Sequence, residues 1–221
     1  MRKLADGVWQ LGGFPPNAIN IYLVEDVLVD AGSRHARRRI LRELGTTSLR
    51  AHVLTHAHPD HQGSSHFVCD HYGVPLWVGE GDHDAAERPE LIVERQPDHP
   101  LNRMSYRHWA GPGHKVDRVL REGDEVAGFR VLHVPGHSAG HIALWREDDR
   151  VLILGDVVNN IDTLTGIPGL HEPKAFFTPD PAANRRSARR LGELEPRLVL
   201  FGHGAPLRDT AKFVAFCSSL V

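Results

Sequence analysis

Between Leu54 and Gly63 the chain reads LTHAHPDHQG, so three histidines and an aspartate crowd into the six positions from His56 to His61. Any fold this chain adopts must hold those four groups against one another. The run RAHVLTH before them reads as a short strand, which places the cluster on the loop leaving it. Imidazole nitrogens and carboxylate oxygens are the ligands that borderline divalent metals prefer. On an extended loop His56 and His58 point the same way and reach one ion, whereas Asp60 and His61 follow a turn and reach a second. Two ions take roughly seven or eight protein contacts between them, so more must come from elsewhere. Three candidates stand at strand ends: His137 in VPGHSAGH, Asp156 in LILGD and His203 in FGHG.

The rest of the chain alternates strands and helices. GVWQLGG, INIYLVE and VLVDAG are short β-branched and aromatic runs broken by Gly, Pro and Asp, and read as strands. SRHARRRILREL predicts a helix capped by Ser33, with Ala36, Ile40, Leu41 and Leu44 on one face. HQGSSHFVCDHYG reads as the helix after the cluster, and PLWVGE as another strand. Residues 81–115 lack a sustained period and read as a partly helical insertion, a lid or pocket wall within a single domain spanning 1–221. DRVLREGDEV and FRVLHVPG resume strand character. Asp180 and Pro181 open a helix whose Ala188, Leu191 and Leu194 face inward; RLVLFGHG is a last strand and DTAKFVAFCSSL a closing helix. IYLVEDVLVDAG (21–32) and IALWREDDRVLILGD (142–156) share a strand, an acidic turn, a second strand and a terminal Gly and Asp. Two such halves suggest an α/β architecture of sheet packed on sheet with helices outside.

Composition narrows the partners. A net charge of −2 provides no field to attract nucleic acid or anionic lipid. RHARRR and NRRSARR fall on the polar sides of amphipathic helices and read as solvated faces. No apolar run is long enough to span a bilayer, and MRKLADGVWQLGG lacks the apolar core of a secretion signal. Cys69 and Cys217 lie far apart in apolar helical contexts and read as buried thiols of a reducing compartment. The expectation is a cytoplasmic protein with a small-molecule partner, no nucleic acid and no membrane; nothing in the sequence sets its oligomeric state.

THAHPDHQG, PGHSAGH, a GD pair after an apolar strand and a late GHG, in this order, resemble the metallo-β-lactamase superfamily over essentially the whole chain. The resemblance implies a four-layer αββα sandwich with its metal site at the edge between two similar halves. Carried over by position, it implies that His56, His58 and His137 bind one metal. Asp60, His61 and His203 bind a second, and Asp156 bridges both. Asp30 in VLVDAG matches an aspartate that supports the ligand loop from behind, while His133 and His141 flank His137 without matching a ligand position. Zinc suits so imidazole-rich a site, with iron or manganese as alternatives.

Two adjacent cations would turn a bridging water into hydroxide near neutral pH, with Asp60 placed to orient it or take its proton. The expected reaction is hydrolysis of a small acyl thioester, ester or lactone, because no general acid stands ready for an amine leaving group. A phosphodiesterase or nuclease of the same superfamily, or a β-lactam hydrolase, is the alternative. The ligand set resembles that of hydroxyacylglutathione hydrolases, but only 18 residues follow His203, too few for the helical domain that binds glutathione there. Similar lactonases place a tyrosine shortly after the bridging aspartate, where this chain has Asn159 and Asn160. The substrate pocket is expected to be walled by Tyr106, His108 and Trp109 of the insertion and by Asn159, Asn160, His171, Phe176 and Phe177.

Overall fold

A computed structural model describes every residue from Met1 to Val221. One sheet holds seven strands in chain order: β1 (Arg2–Ala5), β2 (Val8–Gln10), β3 (Tyr22–Val24), β4 (Val27–Val29), β5 (Ala51–Val53), β6 (Leu76–Gly79) and β7 (Val116–Leu120). Its first four strands pair antiparallel and the last four parallel. The second sheet contains β8 (Glu125–Val126), β9 (Phe129–His133), β10 (Ile142–Arg146), β11 (Val151–Ile153) and β14 (Leu198–Leu200), in the order β14-β11-β10-β9-β8. A separate hairpin joins β12 (Asn159–Ile161) to β13 (Pro168–His171).

β3, β4, β11 and β14 are apolar throughout because both faces of the sheet are covered there. Side chains alternate across a strand, and β4 sends Val27 and Val29 to the core between the sheets but Leu28 to the outer layer. Likewise β11 turns Val151 and Ile153 inward and Leu152 outward. Outside the first sheet lie α1 (Arg37–Leu44), α3 (Ser65–Tyr72), α4 (His83–Glu87) and α5 (Glu90–Arg95), through Ile40, Leu44, Val68, Ala85 and Ile92. Outside the second lie α7 (Pro181–Glu193) and α8 (Thr210–Ser219), through Ala188, Leu191, Phe213 and Cys217. The result is the four-layer αββα sandwich. The two hairpins that echo each other in sequence occupy opposite sheets, and each ends in an aspartate, Asp30 after β4 and Asp156 after β11.

Local readings differ in four places. Ser33 does not cap α1, which starts at Arg37 behind Ala36 with no side-chain cap. Its carbonyl is taken instead by Ser64 Oγ, and Arg34 N–H bonds to Trp109 O, so this turn is tied to neighbours before the helix begins. The helix expected after the cluster is broken at Gly63 and Ser64 into α2 (Pro59–Gln62) and α3; Gly63 packs so closely on the Ser33–Arg34 turn that an added Cβ would sit 2.3 Å from Arg34 N. β1 and the β12–β13 hairpin, absent from the sequence reading, complete the list. Asp180 does cap α7, accepting from Ala183 N–H at 2.8 Å. Both cysteines are free and buried, and no helix is long and apolar enough to cross a membrane.

His52 ties β5 to α3. Its Nδ1–H donates to Leu28 O at 3.0 Å and its Nε2 accepts from Ser65 Oγ at 2.8 Å, so the ring is neutral. Burial lowers its pKa from 6.5 to about 4. The unfolded chain takes up that proton near 6.5, so the contribution is complete above pH 6.5 and is lost as pH falls towards 4, by roughly 3 kcal/mol. Urea unfolding at pH 7 and pH 4.5 is expected to show a smaller acid loss for His52→Gln than for the parent. Equal losses in both proteins would remove His52 as the cause.

Candidate metal centre

All seven sequence-predicted ligands meet at one edge of the sandwich, each delivered by a segment leaving a strand. β5 leads to His56, His58 and the short α2 that carries Asp60 and His61. The β9–β10 connection brings His137, β11 leads to Asp156, and β14 to His203. Potential ligand atoms lie within 4.8 Å of one another in three overlapping groups: His56, His58 and His137; His56, His61 and Asp156; and Asp60, His61 and His203. Asp156 sits between them, with Oδ1 3.5 Å from His61 Nε2 and Oδ2 3.6 Å from His137 Nε2 and 3.0 Å from His203 Nε2. Asp60 Oδ2 is 3.2 Å from His203 Nε2.

Each histidine is held by the nitrogen that faces away. Thr55 Oγ1 donates to Asp30 at 2.9 Å and accepts from His56 Nδ1–H at 3.0 Å. Asp30 also accepts Thr55 N–H at 2.8 Å and His61 Nδ1–H at 2.9 Å, so one buried carboxylate braces the start and the end of the ligand loop. Thr178 Oγ1 donates to Lys174 O and accepts from His137 Nδ1–H at 3.2 Å. His203 Nδ1–H donates to Ala18 O. Four histidines therefore turn Nε2 inward. His58 reverses this, its Nε2 meeting the Gln96 amide and leaving Nδ1 uncommitted. Such outward bonds fix tautomer and orientation in metal-binding histidines.

These residues fit cations. His56 Nε2, His137 Nε2 and Asp156 Oδ1 are buried with no hydrogen-bond partner in the protein, an uncommon and costly condition for three neighbouring atoms. Burial drives His56 and His137 well below the usual histidine range, keeping them neutral as ligands must be. Burial opposes charge on His203 too, yet Asp156 and Asp60 carry it up to about 10. His61 rises for the same reason, against its own burial, through Asp156, Asp60 and Asp30. The carboxylates thus demand positive charge at the centre, which divalent cations would supply in exchange for those protons.

Two supporting residues were not anticipated. Asp82 accepts from Ala57 N–H at 2.9 Å, Ser138 Oγ at 2.7 Å and Gly140 N–H at 2.9 Å, joining the two histidine loops. His141 stacks on His56 at 4.5 Å between centroids and accepts Asp156 N–H at 3.3 Å. VPGHSAGH contains His141, so its nearness was readable; Asp82 in VGEGDHD carries no local signal.

The centre opens into a cavity of about 1200 Å³. α5 and α6 (Pro100–Trp109) form one wall, so the 81–115 segment borders the site. Leu101, Met104, Ser105 and His108 present one face of α6 to the cavity, followed by Trp109. Tyr106 points off that face and does not line it. Asn159 and Phe177 do line it, and Asn159 Oδ1 is buried without a partner. Asn160 is turned away, its Nδ2 donating to Ala205 O at 2.8 Å. His171 lies outside the lining in β13, and Phe176 stacks on His99 at 4.3 Å, also outside it.

A sandwich whose strand ends gather such a His/Asp centre beside a cavity defines a metallo-hydrolase. Residues 14–203 match the profile described as the Metallo-beta-lactamase superfamily, and the chain belongs to that superfamily. It is similar to the "Probable metallo-hydrolase YflN" of Bacillus subtilis (strain 168), 30% identical over 221 residues that cover 88% of this chain and 84% of that one. It is also similar to the "Acyl-coenzyme A thioesterase MBLAC2" of Gallus gallus, 32% identical over 174 residues that cover 69% of this chain and 62% of that one. Among solved structures, TTHA1623 in a di-iron-bound form superposes with a TM-score of 0.63 at 27% identity, covering 97% of this chain and 98% of that one.

Proposed function

We propose that this metallo-hydrolase cleaves acyl thioesters, using two divalent cations held by His56, His58 and His137 on one side, by Asp60, His61 and His203 on the other, and by Asp156 between them. Bound there, the cations would polarise the substrate carbonyl and activate water near neutral pH. Zinc suits the imidazole-rich set, while iron and manganese suit its carboxylates. Asp60 accepts the proton of the attacking water, Asp30 and Thr55 hold the loop that presents it, and Asn159 faces the substrate.

The observation that carries the reading is that no carboxylic acid or phenol beside the centre is free to protonate a leaving group in advance. The cavity's carboxylates are Glu43, Asp60, Asp156 and Asp162, and each already has a cationic or imidazole partner. No tyrosine lines it, and Tyr22 spends its hydroxyl on Phe201 O at 2.7 Å. A leaving group that can depart without prior protonation is then favoured. A thiolate, the conjugate base of a group with a pKa of roughly 8.5, does so far more readily than an alkoxide or an amine. Likeness to a named acyl-coenzyme A thioesterase supports the same bond. The cavity is larger than a small acyl group needs and suits a longer substrate. Two unpaired buried cysteines agree with a cytoplasmic setting.

The test is hydrolysis of one acyl group presented as thioester, oxygen ester and lactone to a single fully metal-loaded preparation. The thioester is expected to show the highest kcat/KM. Preference for the lactone would overturn the bond assignment and make Asn159 the group that serves its ring oxygen.

A further inference from the structure

We propose that Arg39 receives an anionic group of the substrate, a carboxylate or a phosphate remote from the reacting carbonyl. The proposal rests on the reading of this cavity as the substrate site.

Arg39 lies on α1 and lines the same cavity as His58, Asp60, His137, Asp156 and His203 of the centre. It is half-buried, and its Nε is buried without a hydrogen-bond partner. The four carboxylates of the cavity are committed elsewhere. Asp60 and Asp156 belong to the centre, and Asp162 pairs with Lys174 at 2.5 Å. Glu43 holds the Met1 amino group at 2.7 Å, the Gly12 N–H at 3.3 Å and the Arg42 guanidinium at 3.6 Å. Arg39 makes no ion pair of its own: Glu43, one turn on, favours its charge without touching it, and the guanidinium stands in a partly desolvated wall, where pairing matters most. The chain also makes room for it: an added Cβ on Gly13 would stand 2.2 Å from Nη1.

The surroundings define the rest of the ligand. Phe14, Met104, Trp109 and Leu164 are four of the seven large apolar side chains exposed on the whole surface, and all four line this cavity. An apolar concentration of this kind beside an unpaired guanidinium fits an amphipathic molecule with an apolar chain and one anionic end.

One acyl group is prepared as three thioesters: a neutral N-acetylcysteamine thioester, a coenzyme A thioester with phosphates on the leaving group, and an N-acetylcysteamine thioester with a terminal carboxylate on the acyl chain. The parent is expected to favour one of the two anionic compounds. Arg39→Met should lower its anionic-to-neutral ratio of kcat/KM about tenfold or more, through KM, and Arg39→Lys should restore part of it. The compound that responds names the source, phosphate or carboxylate. Ratios unmoved in both pairs would overturn the proposal. Calorimetric titration of the metal-loaded protein with free coenzyme A and with the free dicarboxylic acid supplies a second reading, with binding about tenfold weaker in Arg39→Met for the ligand in question. If no thioester turns over yet a ligand still binds through Arg39, the bond assignment fails and the anion site stands.

Discussion

Asp156→Ala is expected to leave a folded protein that no longer holds two cations and turns over at least about a thousandfold more slowly, the scale of losing one preorganised electrostatic group. The reason is position. Asp156 is the one carboxylate that approaches histidines of both groups, His137 from one and His61 and His203 from the other, at 3.0–3.6 Å. Its Oδ1 is buried without a hydrogen-bond partner, and its Oδ2 meets His203 Nε2 at 3.0 Å inside the centre, so what is lost with it lies within the centre and not in the core. The measurement is metal content by mass spectrometry beside kcat/KM, with a thermal melt to show that the protein is folded. Two tightly held ions and near-parent turnover would defeat the assignment of Asp156 as the bridge.

Gly202→Ala is expected to come close to the same result without touching a ligand. A Cβ at this position would lie 1.9 Å from Asp156 Oδ1 and 2.8 Å from His61 Cε1. An aspartate elsewhere would swing aside, but this one is boxed in by His61, His137 and His203. Any displacement is therefore passed to the centre. The backbone at Gly202 has an ordinary negative φ, so the cost is contact and not conformation. We expect a loss of about a hundredfold or more in kcat/KM with reduced metal content. A double-mutant cycle isolates the cause: once Asp156 is alanine, adding Gly202→Ala should do little more. Fully additive losses would place the damage elsewhere.

The centre was legible because its chemistry is local and its spacing peculiar. His56 to His61 announce themselves, and His137, Asp156 and His203 follow apolar strands. The β4 and β11 hairpins could be matched because strands covered on both faces are unbroken apolar runs. Other features depend on partners distant in sequence. Asp82 matters only because Ala57 and Gly140 fold against it. The need for glycine at 63 arises only because the backbones of Arg34 and Trp109 lie close by. The hairpin of β12 and β13 is hidden in a Gly- and Pro-containing stretch, its turn tied by Asp162 Oδ1 to Leu164 N–H and Thr165 N–H at 3.0 Å. Tyr106 was assigned to the wall as part of the 81–115 insertion, whereas helix phase decides: 101, 104, 105 and 108 share a face and 106 does not.

Asn17 to Tyr22 and Phe201 to Gly204 are joined by six hydrogen bonds. Asn20 alone contributes three, to Phe201 O, Gly202 O and Gly204 O, each at 2.8 Å. Tyr22, Gly204 N–H and His203 supply the others. This knot bears on the order of events at the ribosome. An early-made segment must wait for one made some 180 residues later before this knot can form, and His203 is not available until then. A growing chain that already displays His56, His58 and His61 has no complete second half to its centre, so the full ligand set can assemble only after His203 has been made.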